Sequence, residues 1–237
     1  MILFSNQINM KLRLMHKEIE YMISKSPVEY EIAVNFMDRR VDLINNGIAS
    51  ELIWFLEHPH VYTAGTSAKN DELLDPGQIP VFETPRGGRY TYHGPGQRII
   101  YLMLDLERFD RDIRSFIKNL EEVLIKTFTN FNIDVYPHRD RIGLWVKNRG
   151  QEEKIGAIGL KIKKWISLHG VAINIDPDLN YFDGIIPCGL PDYNVTSIRK
   201  INDLITMDKF DRELIRNFQS KLGDLKQLDY LDLYGIK

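Results

Sequence analysis

Cysteine is nearly missing from this chain: Cys188 is the lone thiol among 237 residues. A single sulfur excludes an internal disulfide framework and a cysteine-rich zinc site. Neither sign of charge is in excess, because 31 Lys and Arg meet 33 Asp and Glu for a net of −2. No overall field therefore favours nucleic acid or an anionic membrane. No run of about 18 apolar residues is present, so no membrane-spanning helix is expected. Met1-Ile2-Leu3-Phe4 is too short for a secretory apolar region, and the basic Lys11, Arg13 and Lys17 are soon followed by Glu18 and Glu20, which weakens a transit-segment reading. A cytoplasmic protein is expected. The sequence also lacks an internal repeat, a GxGxxG after a strand and a GxxxxGK[ST], which argues against a dinucleotide fold and a P-loop.

What the chain does have suits a globular protein: 43% hydrophobic and 27% charged residues. Its length fits one domain spanning 1–237, with a motif-bearing core at about 28–222. Helical periodicity predicts Val28–Asn45, with Ile32, Phe36, Met37, Val41 and Ile44 near one face, then Arg111–Phe128 and Thr206–Leu222. Apolar or alternating runs predict strands at Leu52–Leu56, Ile99–Leu104, Ile133–Tyr136, Ile142–Val146, Lys154–Ile162, Trp165–Ile175 and Asn194–Ile198, with a hairpin tip at Lys147–Gln151. Thr63–Thr66 reads as a loop near the site, Ser67–Pro80 as a surface segment and Asp178–Phe182 as a helical turn. Strands in runs, with helices between and at the ends, make the fold class α+β: a mixed, largely antiparallel sheet with flanking helices.

Two stretches carry chemistry. Arg86-Gly87-Gly88-Arg89-Tyr90-Thr91-Tyr92-His93-Gly94-Pro95-Gly96-Gln97 packs four glycines and a proline among polar and aromatic groups, just before a buried strand. Glycine lets a backbone approach a ligand closely, and the interleaved polar groups can orient it. The plainer reading is a glycine-rich connection between strands. The second stretch is Gly184–Leu190, where Cys188 sits between Pro187 and Gly189. A lone cysteine is most often a small buried hydrophobe, but flanking Pro and Gly put this one on a turn. As a nucleophile it would need a nearby cation to favour the thiolate, and Lys154, Lys161, His93 and His169 are the candidates. Such a pair beside a glycine-lined pocket suggests acyl transfer through a thioester. His58 and His60 lack a third ligand nearby, so no metal is expected.

Taken together and in order, EHPHVYTAG, RGGRYTYHGPGQ, KIGAIGLKI, SLHGVAINI and IPCGL followed by VTSI resemble the octanoyltransferases of lipoate biosynthesis, over about Leu52 to Ile198. The resemblance implies a fold similar to the catalytic domain of biotin and lipoate protein ligases. It implies transfer of an octanoyl group from octanoyl-acyl carrier protein to a lysine of lipoyl domains, those of 2-oxoacid dehydrogenases and the glycine cleavage H protein. Cys188, in the PCG motif, would be the nucleophile and Lys154, opening KIGAIG, its assisting lysine. Substrate-binding segments carry over onto Arg86, Gly87, Gly88, Arg89, Tyr90, Thr91, Tyr92 and His93, onto Ala157, Ile158 and Gly159, and onto Gly170, Val171 and Ala172. No metal, nucleotide or redox cofactor is implied, and no nucleic acid or membrane partner. Arg89-Tyr90 departs from the family, whose members commonly carry Gln and a β-branched residue there, and this bears on chain-length preference. The N-terminal ~25 residues and the tail after Ser197 add little to the match.

Three rival readings use the same residues. A lipoate or biotin ligase on this fold would activate a free acid with ATP and need no cysteine. A non-catalytic acyl-carrier-binding protein would keep the pocket without the chemistry. A cysteine hydrolase would release free octanoate to water.

Overall fold

The computed structural model describes residues 18–138, 141–189 and 193–229. The N-terminal Met1–Lys17 segment and Leu190 of the IPCGL motif lie outside them. In chain order the elements are β1 (Ile19–Ile23), α1 (Tyr30–Asn45), β2 (Glu51–Leu56), β3 (Val61–Ala64), β4 (Val81–Glu83), β5 (Tyr90–His93) and β6 (Gln97–Met103). Then come α2 (Ile113–Thr129), β7 (Val135–Pro137), β8 (Leu144–Asn148), β9 (Gln151–Lys163), β10 (Ile166–Asn174), β11 (Asn194–Val195), α3 (Ile198–Ile201), α4 (Met207–Leu222) and β12 (Leu225–Gln227).

Among the described residues the main sheet runs β12-β1-β2-β6-β10-β9-β8-β7, with β11 on β9, and a small second sheet runs β4-β3-β5. Pairing is antiparallel along β2-β6-β10-β9-β8-β7 and parallel for β1–β12, β1–β2, β11–β9 and β3–β4. The fold class is therefore the mixed, largely antiparallel α+β arrangement expected from the pattern. The central strands are apolar on both faces because helices cover both. Ile53, Phe55, Ile100, Leu102, Val171 and Ile173 pack beneath α2 and α4. Leu52, Trp54, Ile99, Tyr101, Leu168 and Ala172 pack beneath α1. No helix among the described residues is long and apolar enough to cross a membrane.

Several local expectations need correction. Helix α1 begins at Tyr30, and its inner stripe is Tyr30, Ala33, Met37, Val41 and Ile44. Ile32 is 46% exposed, because it stands about 100° round the helix from Ala33. Thr63 and Ala64 belong to strand β3 rather than a loop. Ile198 starts a helix, with the Ser197 hydroxyl accepting from Lys200 N–H at its N-cap. The glycine-rich stretch is not all loop, since Tyr90–His93 forms β5. The end strands β1 and β12 complete one edge of the main sheet.

Candidate active site

The cysteine turn spans Pro187–Gly189, and Cys188 itself holds the left-handed conformation, with φ 56° and ψ 19°. That conformation is uncommon for a non-glycine residue and clusters at functional sites. Lys154, in the buried part of β9, points its Nζ to 2.8 Å from Cys188 Sγ and donates to the Ile142 carbonyl at 3.0 Å. The amine also lies 5.5 Å from the centre of the Trp145 ring. Lys154 is 5% exposed, and among the described residues no carboxylate pairs with it. The Cys188 sulfur is thus the group placed to exchange a proton with this buried amine. Gly143 makes the room: its φ is +140°, and a Cβ there would lie 2.6 Å from Lys154 Cε. Of the other cation candidates, His93 and His169 are uncharged at neutral pH. Burial drives the His93 imidazole well below its usual range, and burial chiefly, with the Arg86 charge next, drives His169 to about 3. Lys161 makes no contact with the sulfur.

The strand beneath Lys154 is held by a run of buried amides. His93 Nδ1 meets Gln97 Oε1 at 2.7 Å, Gln97 Nε2 donates to Asn174 Oδ1 at 2.9 Å, and Asn174 Nδ2 donates to the Thr196 carbonyl at 2.9 Å. Thr196 N–H in turn donates to the Lys154 carbonyl at 2.9 Å. The run has one direction, since each amide accepts at its oxygen and donates from its nitrogen. Gln97, Asn174 and Thr196 were not singled out from sequence. The Gln that ends HGPGQ was the available signal.

Arg86 fastens the glycine-rich loop. Its buried guanidinium donates to the Thr63 carbonyl (2.9 Å), Thr63 Oγ1 (2.6 Å), the Gly87 carbonyl (3.0 Å) and the Arg89 carbonyl (3.1 Å). Gly87 N–H closes the loop onto the Leu160 carbonyl of β9 at 3.0 Å. Arg89 pairs with Glu72, whose backbone carbonyl accepts from Ile186 N–H at 2.8 Å. Arg89 also lies over Gly189, where φ is +67° and a Cβ would come within 2.3 Å of its Nη1. Arg89 thus ties the glycine-rich loop to the cysteine turn, a role that Gln, lacking charge, would not fill in the same way.

A cavity of about 710 Å³ opens beside Cys188. Arg86, Gly87, Gly88, Arg89, Thr91 and His93 line it on one side, and Ala157, Ile158, Gly159, Gly170, Val171 and Ala172 on the other. Tyr90 and Tyr92 do not line it. Strand alternation turns them to the other face of β5, into a separate cluster with Tyr62 and Phe182. Tyr101 and His169 line the cavity too and were absent from the expected binding set. A smaller pocket joins Lys154, Cys188, Ala157, Ala172, Gln97 and Asn174. His58 and His60 are taken up by other bonds, His58 to the Val28 carbonyl and Tyr101 hydroxyl, His60 to the Tyr92 hydroxyl. Among the described residues no group of three or more His, Cys, Asp or Glu side chains gathers to hold a metal ion.

This arrangement is a thiol paired with a buried amine at the mouth of a glycine-lined cavity. It can carry an acyl group on sulfur. The chain is 47% identical over 210 residues to an octanoyltransferase of Paramagnetospirillum magneticum, covering 88% of this chain and 99% of that protein. It is 48% identical over 208 residues to an octanoyltransferase of Parvibaculum lavamentivorans, covering 86% and 92%. In fold it is similar to the bi-partite lipoate protein ligase of Thermoplasma acidophilum, with a TM-score of 0.71, 18% identity and coverage of 93% and 90%. The lipoyl protein ligase A/B catalytic domain matches residues 29–219, and the chain belongs to that family.

Proposed function

We propose that the chain is an octanoyltransferase of lipoate biosynthesis that works through a thioester on Cys188. The observation carrying this reading is the 2.8 Å contact between Lys154 Nζ and Cys188 Sγ beside the cavity that Cys188 lines. The names of relatives at 47–48% identity support the octanoyl group as cargo.

In the first half-reaction the amine of Lys154 takes the thiol proton. The Cys188 sulfur attacks the carbonyl carbon of octanoyl-acyl carrier protein. The carrier's C–S bond breaks, and its thiolate recovers a proton from Lys154. In the second, the amine of a lipoyl-domain lysine attacks the octanoyl-Cys188 carbonyl. Lys154 helps remove its proton, an amide forms and the Cys188 thiol is regenerated. Lipoyl domains of 2-oxoacid dehydrogenases and the glycine cleavage H protein are the acceptors. The cytoplasm, which keeps thiols reduced, suits such a nucleophile. The cavity buries the hydrocarbon, with each methylene contributing about 0.8 kcal/mol.

Intact mass after mixing with octanoyl-acyl carrier protein tests this. We expect a gain of one octanoyl group, absent from Cys188→Ser. Transfer to a lipoyl domain by Cys188→Ser at the native rate would overturn the thioester.

A further inference from the structure

We infer that Arg141 is a positioning residue for the Lys154–Cys188 pair, a clamp that aims the Ile142 carbonyl at the Lys154 amine. This rests on the thioester reading for what the pair does.

Arg141 and Ile142 reverse the usual preference. The Arg141 side chain is 10% exposed, whereas the neighbouring Ile142 is 63% exposed. Arginine is seldom covered unless it is paired. Here Nη2 donates to Glu152 Oε2 at 2.7 Å, and the Tyr136 hydroxyl donates to the other oxygen of that carboxylate at 2.8 Å. The guanidinium lies 4.5 Å from the centre of the Trp145 ring and 4.1 Å from that of Tyr193. Those two rings meet edge-on, 5.3 Å between centroids. Nη1 is buried and, among the described residues, has no hydrogen-bond partner. Stacking thus fixes this side chain as much as its ion pair does, a use suited to the flat face of arginine.

The clamp acts on the backbone that reaches Lys154. The Arg141 carbonyl accepts from Trp145 Nε1 at 3.0 Å, and the next carbonyl, that of Ile142, accepts from Lys154 Nζ at 3.0 Å. The following residue is Gly143, whose φ of +140° is open chiefly to glycine. Glycine leaves the direction of that peptide free, so neighbouring groups must aim the Ile142 carbonyl. Tyr193 stands just before β11, whose Val195 pairs with Lys154 on β9. Arg141 therefore joins the entry to β8, the strand that bears Lys154 and the segment that returns from the cysteine turn. A hydrogen bond to an ammonium favours its charged form. The aimed carbonyl thus favours Lys154 as the ammonium and Cys188 as the thiolate. Arg86 and Arg89, the cations on the glycine-rich loop, are held by bonds of their own to Thr63 and Glu72.

The test follows iodoacetamide alkylation of Cys188, the lone thiol, from about pH 5.5 to about pH 9.5. Arg141→Gln should slow alkylation at pH 7 about ten-fold and regain the wild-type rate above about pH 9, the mark of a profile moved by about one unit. Octanoyl transfer should lose about ten-fold in kcat, with KM altered less than about two-fold. Tyr193→Ala keeps the Arg141 charge but removes one stacking face, and should move the profile the same way. Tyr193→Phe keeps the ring and should match wild type. An unmoved profile in Arg141→Gln overturns the inference. A profile moved by Arg141→Gln and not by Tyr193→Ala also overturns it, because charge alone would then be acting. If Arg141→Gln does not fold, the Tyr193 variants decide, and identical profiles for Ala and Phe reject the clamp. Alkylation needs no acyl donor. A wild type that forms no octanoyl adduct, while the variants still move the profile, would sink the transfer reading and leave the clamp standing.

Discussion

A buried ammonium without a carboxylate partner is costly unless another group shares its charge or proton. Lys154 is such a group, with a sulfur at 2.8 Å and one carbonyl at 3.0 Å. Its replacement tests whether that arrangement drives chemistry. Lys154→Ala should cut octanoyl transfer by about 10²–10⁴-fold, the usual range for a positioned proton carrier, and slow iodoacetamide alkylation of Cys188 at pH 7. Unaltered alkylation with transfer at the native rate would remove Lys154 from its role. Much of this was legible at the level of single residues. Pro187 and Gly189 marked Cys188 as a turn residue, and the motif resemblance chose Lys154 among the cations. Gly143 was not legible, because the atoms that leave no room for a Cβ there, Lys154 Cε and the Gly156 carbonyl, belong to β9. The outward turn of Tyr90 and Tyr92 was hidden for a related reason: a glycine-rich run does not announce that four of its residues form a strand.

Between elements, the amide run from His93 on β5 through Gln97 on β6 and Asn174 on β10 to Thr196 links three strands to the backbone of Lys154. Asn174→Leu keeps the branched outline of the side chain and removes both bonds, leaving the Thr196 carbonyl without its donor. A buried unpaired polar group costs about 1–3 kcal/mol, so the melting temperature should fall. If the run also positions Lys154, kcat should drop at least about ten-fold while KM for octanoyl-acyl carrier protein changes less than about two-fold, the pattern of an interaction made in the transition state. A lower melting temperature with native kcat at 25 °C would confine Asn174 to stability. Long amphipathic elements such as α2 and α4 were legible because a 3.6-residue period persists over four turns or more. Short strands were not. β3 has four residues and β12 three, and their state is decided by partners distant in sequence, β5 and β1.

For the molecule as a whole, neutral histidines buried beside the cavity make folding sensitive to acid. Burial lowers His58 to about 4 and His169 to about 3, and takes His93 well below the ordinary value of 6.5. The unfolded chain protonates these rings near 6.5 while the folded chain does not. Below that pH the unfolded state binds more protons, so stability is fully present above about 6.5 and is lost as pH falls toward the folded values. Asp211 runs the other way, because burial raises its carboxyl to about 6 despite the Arg98 guanidinium beside it. The folded chain then holds that proton where the unfolded one has shed it. A variant comparison separates the opposing contributions. His169→Gly removes one ring and leaves Asp211 in place, so its melting temperature should fall less steeply than wild type between pH 6.5 and pH 4. Relief of backbone strain at His169, where φ is +57°, shifts the whole curve without altering that slope. Parallel curves for the two proteins would mean that the His169 imidazole takes up its proton as readily in the folded chain as in the unfolded one, against the burial that holds it neutral.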